Sequence, residues 1–298
     1  MAKVLVTGGA GFIGSHVVDA LLKHRHKVIV VDNLSNGKNI NRKARFHKGD
    51  IRDLDLLLKL SKGCDAILHL AAQISVPRSI QKPKETYEVN VLGTKNVITA
   101  AKKNHVSKII FSSSCAIFGD NKKLPLTETS ETFPLSPYAK SKLQGEKLIR
   151  RSGIPFVIFR YFNVYGIRQS TESQYAAAIP IFAAKAIANQ PIFIFGTGAQ
   201  TRDFVNVQDV ARANILALRK GNGVYNICGT KSIEILSLAK KIIAAVNSNS
   251  KISFQKARPG EILHSLGNNT LAKEEIGWFP RIGLAKGLED YVRWVKKQ

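Results

Sequence analysis

Tyr138 and Lys142 stand four residues apart in Ser136-Pro137-Tyr138-Ala139-Lys140-Ser141-Lys142, so on a helix they share one face. A phenol and an amine placed this way can take the proton of a hydroxyl while hydride leaves the same carbon. A free phenol, with a pKa of about 10, is a poor base at neutral pH. A nearby ammonium and a second positive charge favour the phenolate, and bringing its pKa from about 10 to about 7 takes about 4 kcal/mol. In a chain with seven tyrosines and many lysines such a pair also arises by chance. Its weight comes from Ser112-Ser113-Ser114, which closes the strand-like run just upstream. Ligands of open α/β sheets bind at that carboxyl edge. Ser114 is expected to hydrogen-bond the reacting oxygen, with Tyr138 as the base and Lys142 supporting it.

A second site lies at the N-terminus. Thr7-Gly8-Gly9-Ala10-Gly11-Phe12-Ile13-Gly14 follows a strand and opens a helix. Gly8, Gly11 and Gly14 allow a tight turn and a close approach of backbone amides to a pyrophosphate, with Phe12 and Ile13 in the first helical turn. Asp32 ends the next strand, 24 residues beyond Gly8, where a carboxylate can hold an adenosine ribose and repel a 2′-phosphate. NAD is therefore expected rather than NADP. Asp50-Ile51 follows the third strand and could reach the adenine amino group; Asp50 could equally cap the segment at Arg52. Asn33, the Leu70-Ala71-Ala72 run, Asn90 and Tyr161 complete the expected cofactor wall.

The elements that must position these groups follow from periodicity. Strand-like runs cover Lys3–Thr7, Lys27–Val31, Arg45–His47, Ala66–Leu70, Lys108–Ser113 and Phe156–Arg160. Helical patterns follow Gly11, Asp53, Glu85 and Ser136. Alternating strands and helices indicate βαβ units, an α/β class and a doubly wound parallel sheet. Beyond Asn163, helices near Tyr175–Asn189, Val207–Arg219, Ile233–Ala245 and Lys286–Lys296 are spaced by short β pieces. The spacing predicts a Rossmann-like NAD-binding domain over 1–163 and a smaller C-terminal α/β substrate lobe over 164–298, with some interleaving.

No run of about 18 apolar residues suggests a membrane span. The N-terminus lacks the pattern of a signal peptide, and a cytoplasmic protein is expected. Cys64, Cys115 and Cys228 are widely spaced, form no CxxC pair and read as small buried hydrophobes, so no metal is expected. Lys and Arg exceed Asp and Glu by 24, a field that attracts polyanions. The charges are spread along the chain rather than gathered with aromatics, which favours an anionic small substrate over specific nucleic-acid binding.

On these motifs the chain resembles the extended short-chain dehydrogenase/reductases: TGGAGFIG, HLAAQ at 69–73, FSSS at 111–114 and SPYAKSK at 136–142 are typical of them. Within that group it looks most like the UDP-glucose (UDP-galactose) 4-epimerases, on RYFNVYG at 160–166, GTGAQTRDFVNVQDVA at 196–211 and ARPGE at 257–261. The resemblance implies a UDP-sugar substrate. It implies that Asn163 contacts the diphosphate-sugar and Phe195 packs on uracil, although Phe195 could also be a core ring. It also implies that Gln200 belongs to the substrate wall, that Arg202 and Arg258 clamp the diphosphate, and that Glu261 binds the uridine ribose. A guanidinium fork suits a diphosphate on physical grounds too. Dehydratases of the group carry Asp-Glu after the serine and decarboxylases a Glu; Cys115-Ala116 here argues against elimination. Phe118 replaces a usual Tyr near the substrate, and Ala177 a usual amide. Ser265, four residues past Glu261, replaces a bulky residue and predicts room for an N-acetyl group at sugar C2. A homodimer through 85–104 and 136–151 is implied by the same resemblance. A uronate 4-epimerase, a nucleotide-sugar reductase, and a non-catalytic nucleic-acid-binding relative are the alternatives.

Overall fold

The computed structural model describes residues 1–171, 178–257 and 262–298. β1 (Lys3–Thr7) passes through α1 (Phe12–Lys23) to β2 (Lys27–Asp32), and β3 (Arg45–Lys48) lies beyond β2. After α2 (Leu54–Ser61), β4 (Ala66–His69) pairs on the other side of β1. Two short helices, α3 (Val76–Gln81) and α4 (Pro83–Tyr87), lead through a wide π turn at Glu88–Leu92 into α5 (Gly93–Lys103). β5 (Lys108–Ser114), α6 (Pro137–Arg150) and β6 (Phe156–Tyr161) follow. The remaining chain forms β7 (Asn163–Tyr165), α7 (Ala178–Ile187), β8 (Ile192–Phe195), β9 (Thr201–Asn206), α8 (Val207–Ala217) and β10 (Gly223–Ile227). It ends with β11 (Ser232–Glu234), α9 (Ile235–Val246), β12 (Ile252–Gln255), α10 (Thr270–Ile276) and α11 (Leu284–Val295).

The main sheet has the order β10-β6-β5-β4-β1-β2-β3 with every pair parallel, the doubly wound α/β architecture that the sequence pattern predicts. Its strands are apolar on both sides because helices cover both faces. Val4 and Val6 face α1 and α8, whereas Leu5 faces α2 and α5; β2 and β4 repeat this alternation. β10 and α8 come from the second half of the chain yet complete this sheet and its helical layer. A short apolar run such as Gly223–Ile227 carries no local sign of which sheet it will join. The second lobe packs α7, α9 and α11 around β8. Beside this core lie a three-stranded sheet, β11-β9-β7, and the pair β12-β8. The helix expected over 175–189 is described from Ala178 onward, and its first residues lie outside the described residues.

One buried ion pair ties α6 to the sheet. Ser113 and Arg160 are register partners on β5 and β6, and Glu146 of α6 lies over both. The Ser113 hydroxyl donates to Glu146 Oε1 at 2.6 Å. Arg160 donates from Nε at 3.0 Å and from Nη2 at 2.8 Å, a bidentate pair. Its third nitrogen, Nη1, donates to the Glu128 carbonyl at 2.8 Å, and the guanidinium sits 5.0 Å from the Phe118 ring centre. Phe118 is wholly buried in this packing, against Arg160 and Phe162. Breaking one partner of such a pair leaves a buried charge, which costs about 3–5 kcal/mol. Glu146→Gln is accordingly expected to lose stability in that range by urea unfolding; a loss below about 1 kcal/mol would mean that the pair does not hold α6.

Candidate active site

The glycine loop is shaped by contact. Gly8 has φ of +74°, and a Cβ there would lie 2.6 Å from the Ala71 amide nitrogen. At Gly14 a Cβ would fall 2.0 Å from the Gly8 carbonyl oxygen, so α1 could not approach β1 this closely with any side chain. Gly11 caps α1 without a side-chain bond, whereas Asp53, Ser75 and Ser136 cap α2, α3 and α6 through their side chains. Phe12, Ile13 and Gly14 line the cleft with this uncapped first turn, an arrangement that suits an anion.

Asp32 accepts the Ala10 amide on Oδ2 at 2.9 Å and the Leu34 amide on Oδ1 at 2.8 Å. The carboxylate is thereby fixed, and each oxygen keeps a lone pair for a ribose hydroxyl. Asp50 accepts both Nε and Nη2 of Arg52 at 2.9 Å, the Arg52 amide at 2.9 Å and Asn33 Nδ2 at 3.1 Å. The Arg52 hydrogen bonds hold its carboxyl down at about 2. Ile51, Leu70, Ala71, Ala72 and Tyr161 also line the cleft. The Tyr161 hydroxyl accepts from Asn214 Nδ2 at 2.8 Å. Asn90 stands behind the wall: its Oδ1 accepts the Gln73 amide at 2.7 Å and its Nδ2 donates to Ser141 Oγ at 2.9 Å. Loop shape, open helix end and paired Asp32 together fit a dinucleotide.

Where Ser112, Ser113, Tyr138 and Lys142 line the cleft, the three catalytic candidates lie together. α6 begins with the Ser136 hydroxyl accepting the Ala139 amide and with Pro137 in its first turn. In that same turn the Tyr138 phenol stands beside Ser114 at the end of β5, whose hydroxyl favours the phenolate. Burial pushes the phenol up to about 12 against the pull of that hydroxyl. Lys142 is buried, donates to the Ser112 carbonyl at 2.9 Å and lies 5.2 Å from the Phe111 ring centre. Burial lowers its ammonium to about 8, while Glu146 pulls it upward. The ammonium expected beside the phenol is thus bonded to a carbonyl, and it does not by itself outweigh the burial of Tyr138.

The second lobe holds the remaining candidates on β7, β8 and β9 and in the segments beside them. β7 and β9 pair Asn163 with Phe204, and Asn163 Nδ2 donates to the Asp203 carbonyl at 2.8 Å. Arg202 donates from Nη1 to the Thr201 carbonyl at 2.9 Å. Its charge, with that of Asp203, reaches Cys115 next to Ser114; burial above all pushes that thiol up to about 12. Phe195 ends β8, and its carbonyl accepts Gln200 Nε2 at 2.7 Å. Ser265 is buried, its amide bonded to the Thr201 carbonyl at 3.2 Å. Arg258, Glu261 and Ala177 lie outside the described residues.

Motif reading passes over several residues that hold this site. Glu146 and Arg160 lie inside the sequence motifs or close to them, but a pair joining helix to strand has no local spacing. Asp203, fully buried, accepts the amides of Gly229, Thr230 and Gly267, and so gathers three segments of the second lobe. Burial pushes its carboxyl up to about 7, opposed by those three bonds. Gln73 lines the cleft and has a signal in HLAAQ. His69 opens that same motif and is buried between Thr7 and Thr94, with its imidazole lowered to about 3 by burial.

The family model described as NAD dependent epimerase/dehydratase matches residues 4–228. The chain belongs to that family. It is 36% identical to the UDP-glucose 4-epimerase of Lactobacillus helveticus, over 94% of this chain and 92% of the relative. The fold superposes on UDP-glucose 4-epimerase from Thermotoga maritima, solved with UDP-glucose, with a TM-score of 0.96, 38% identity and 99% of each chain covered. A UDP-N-acetylglucosamine 4-epimerase from Methanobrevibacter ruminantium M1, solved with UDP-N-acetylmuramic acid, gives a TM-score of 0.95 at 38% identity, covering 99% of this chain and 98% of that one. The family is one of NAD-dependent enzymes, and this chain is an enzyme of the epimerase type.

The neutral His69 has a consequence for stability. Its folded pKa, about 3, lies below the ordinary 6.5, so the unfolded chain binds the extra proton as the pH falls between those values. Its contribution is complete above 6.5 and is lost toward 3. His69→Gln removes that titration, and its stability is expected to fall less steeply below pH 6.5, by up to about 1.4 kcal/mol per pH unit. Denaturant unfolding of both proteins across this range measures the slopes. Parallel slopes would contradict a neutral buried His69.

Proposed function

We propose that the chain interconverts the C4 epimers of a UDP-hexose, UDP-glucose and UDP-galactose first, through a 4-keto sugar and with NAD retained between turnovers. The observation that carries this reading is the placement of Tyr138 and Lys142 in the wall of the dinucleotide cleft with Ser114 beside the phenol, followed by Cys115-Ala116 rather than by carboxylates. The names of the relatives support the substrate class.

Gly8, Gly11 and the first turn of α1 would hold the pyrophosphate, and Asp32 the adenosine ribose. The Asp50–Ile51 edge would face the adenine, while Tyr138 and Lys142 would hold the nicotinamide ribose. When bound, NAD supplies a hydride acceptor and donor and, oxidised, a positive ring that favours the phenolate. Tyr138 takes the proton of the C4 hydroxyl and later returns it to the keto oxygen. Ser114 holds that oxygen at both stages. Burial lowers the Lys142 ammonium to about 8 with Glu146 opposing the fall, so it still carries a positive charge at neutral pH. Elimination would need a second acid–base group after Ser114. The Cys115 thiol, pushed up to about 12, and Ala116 cannot serve. Arg202 with Arg258 would clamp the diphosphate, with Asn163, Phe195, Gln200 and Glu261 around the nucleoside and sugar.

We assign 1–163 to the cofactor and 164–298 to the nucleotide sugar, with α8 and β10 returned to the first unit. Tyr87 and Leu92, exposed within 85–104, support a homodimer through that face. Three unpaired cysteines suit a reducing, cytoplasmic setting.

Tyr138→Phe is expected to lower turnover of UDP-galactose about 10²–10⁴-fold while UDP binding persists. A variant retaining more than half the activity would remove Tyr138 as the base. The small side chain of Ser265 supports acceptance of UDP-N-acetylhexosamines as well, as does the second structural relative. Ser265→Tyr should then reduce turnover of the N-acetylated pair selectively, since a steric wall acts by exclusion. No turnover of UDP-GalNAc by the unmutated enzyme would sink that part.

A further inference from the structure

His69 lies between two hydroxyls whose other bonds fix its own. The Thr94 hydroxyl donates to the Asn90 carbonyl at 2.6 Å, and its oxygen is 3.0 Å from His69 Nε2. With its single proton on Asn90, Thr94 can only accept from the ring, so Nε2 carries hydrogen. Nδ1 then presents a lone pair, and Thr7 Oγ1 at 2.7 Å donates to it. The Thr7 oxygen in turn accepts the Ala71 amide at 3.2 Å. Beyond the π turn the run continues: Asn90 Nδ2 donates to Ser141 Oγ at 2.9 Å, and Ser141 donates to the Tyr138 carbonyl at 2.7 Å. All links point one way, from the glycine loop through His69 to the backbone of α6. Asn90 lies in the wide π turn and serves both Thr94 and Ser141; such turns are frequent at functional sites.

We propose that His69 is a positioning residue for Tyr138: as the Nε2–H tautomer it joins Thr7 at the start of the glycine loop to Thr94 and Asn90, and through Ser141 it fixes the backbone that carries the phenol. The proposal rests on the reading of Tyr138 as the base. Rigid placement of this kind matters because an error of about 1 Å at a reacting group can lower a rate about 10²-fold.

Two measurements on the purified holoenzyme test it. Long-range ¹⁵N–¹H correlation spectra should show His69 as the Nε2–H tautomer, and Thr94→Val should convert part of it to Nδ1–H. The Cζ resonance of Tyr138, identified with Tyr138→Phe, should move in Thr94→Val and return in Thr94→Ser. In turnover, Thr94→Val and His69→Leu should each lower kcat about tenfold or more with KM for the UDP-hexose changed less than about twofold. Thr94→Ser and His69→Gln, whose amide supplies one acceptor and one donor, should recover most of it. If His69→Leu does not fold, Thr94→Val carries the test, since it replaces one hydroxyl by a methyl. An Nδ1–H tautomer, a Tyr138 resonance unmoved by Thr94→Val, or loss of stability with unchanged kcat would overturn the proposal. Failure of the epimerase reading would show separately, as unmutated protein without turnover; the two resonances still decide the relay.

Discussion

Glu146 accepts three charged or polar donors in a space that admits no water-exposed alternative: Ser113 from β5 and two nitrogens of Arg160 from β6. A carboxylate so buried is tolerable only while Arg160 stays in place, and Arg160 only while Glu146 does. The helix register over the sheet is thereby set to a fraction of a turn. Lys142 lies one turn before Glu146 and Tyr138 one turn before that, so the positions of phenol and ammonium against Ser114 follow from this pair. The guanidinium's last nitrogen holds Glu128, and through it the loop over Phe118. Packing, electrostatics and chemistry thus meet in one side chain whose own role is structural.

The second constraint is topological. A parallel sheet places the carboxyl ends of β1, β4, β5 and β6 along one edge, and the glycine loop, the Ala71 segment, Ser114 and Asn163 all follow from those ends. Asp203 plays for the second lobe the part that Glu146 plays for the first. Its three backbone donors come from two segments far apart in sequence, and they hold both segments against β9. The Cys115 thiol, which senses both Arg202 and Asp203, marks where the lobes meet.

Much of this is legible in the sequence because it is local. Most strands of the first half announce themselves by β-branched runs, and the Gly8–Gly14 spacing and the Tyr138/Lys142 interval each lie within a single turn or loop. What the residues do not announce is non-local pairing. Glu146 and Arg160 look like ordinary surface charges in the string, Asp203 like one acid among many, and Gly223–Ile227 like a strand of the lobe in which it is written. His69 and Gln73 stand inside the HLAAQ motif, yet hydrogen-bond direction cannot be read from spacing. The environment of Tyr138 is also less simple than its interval to Lys142 implies: burial raises the phenol, and the Lys142 bond goes to Ser112.

If Tyr138 and Ser114 act as proposed, a hydride leaves sugar C4 and returns to the same carbon without exchange. UDP-galactose deuterated at C4 tests this most directly, with the product analysed by mass spectrometry and proton NMR in ordinary water. The expected product is UDP-glucose with the deuterium still on C4 and none in solvent or in added free NAD. Loss of the label to water, or its appearance in the free dinucleotide, would contradict it.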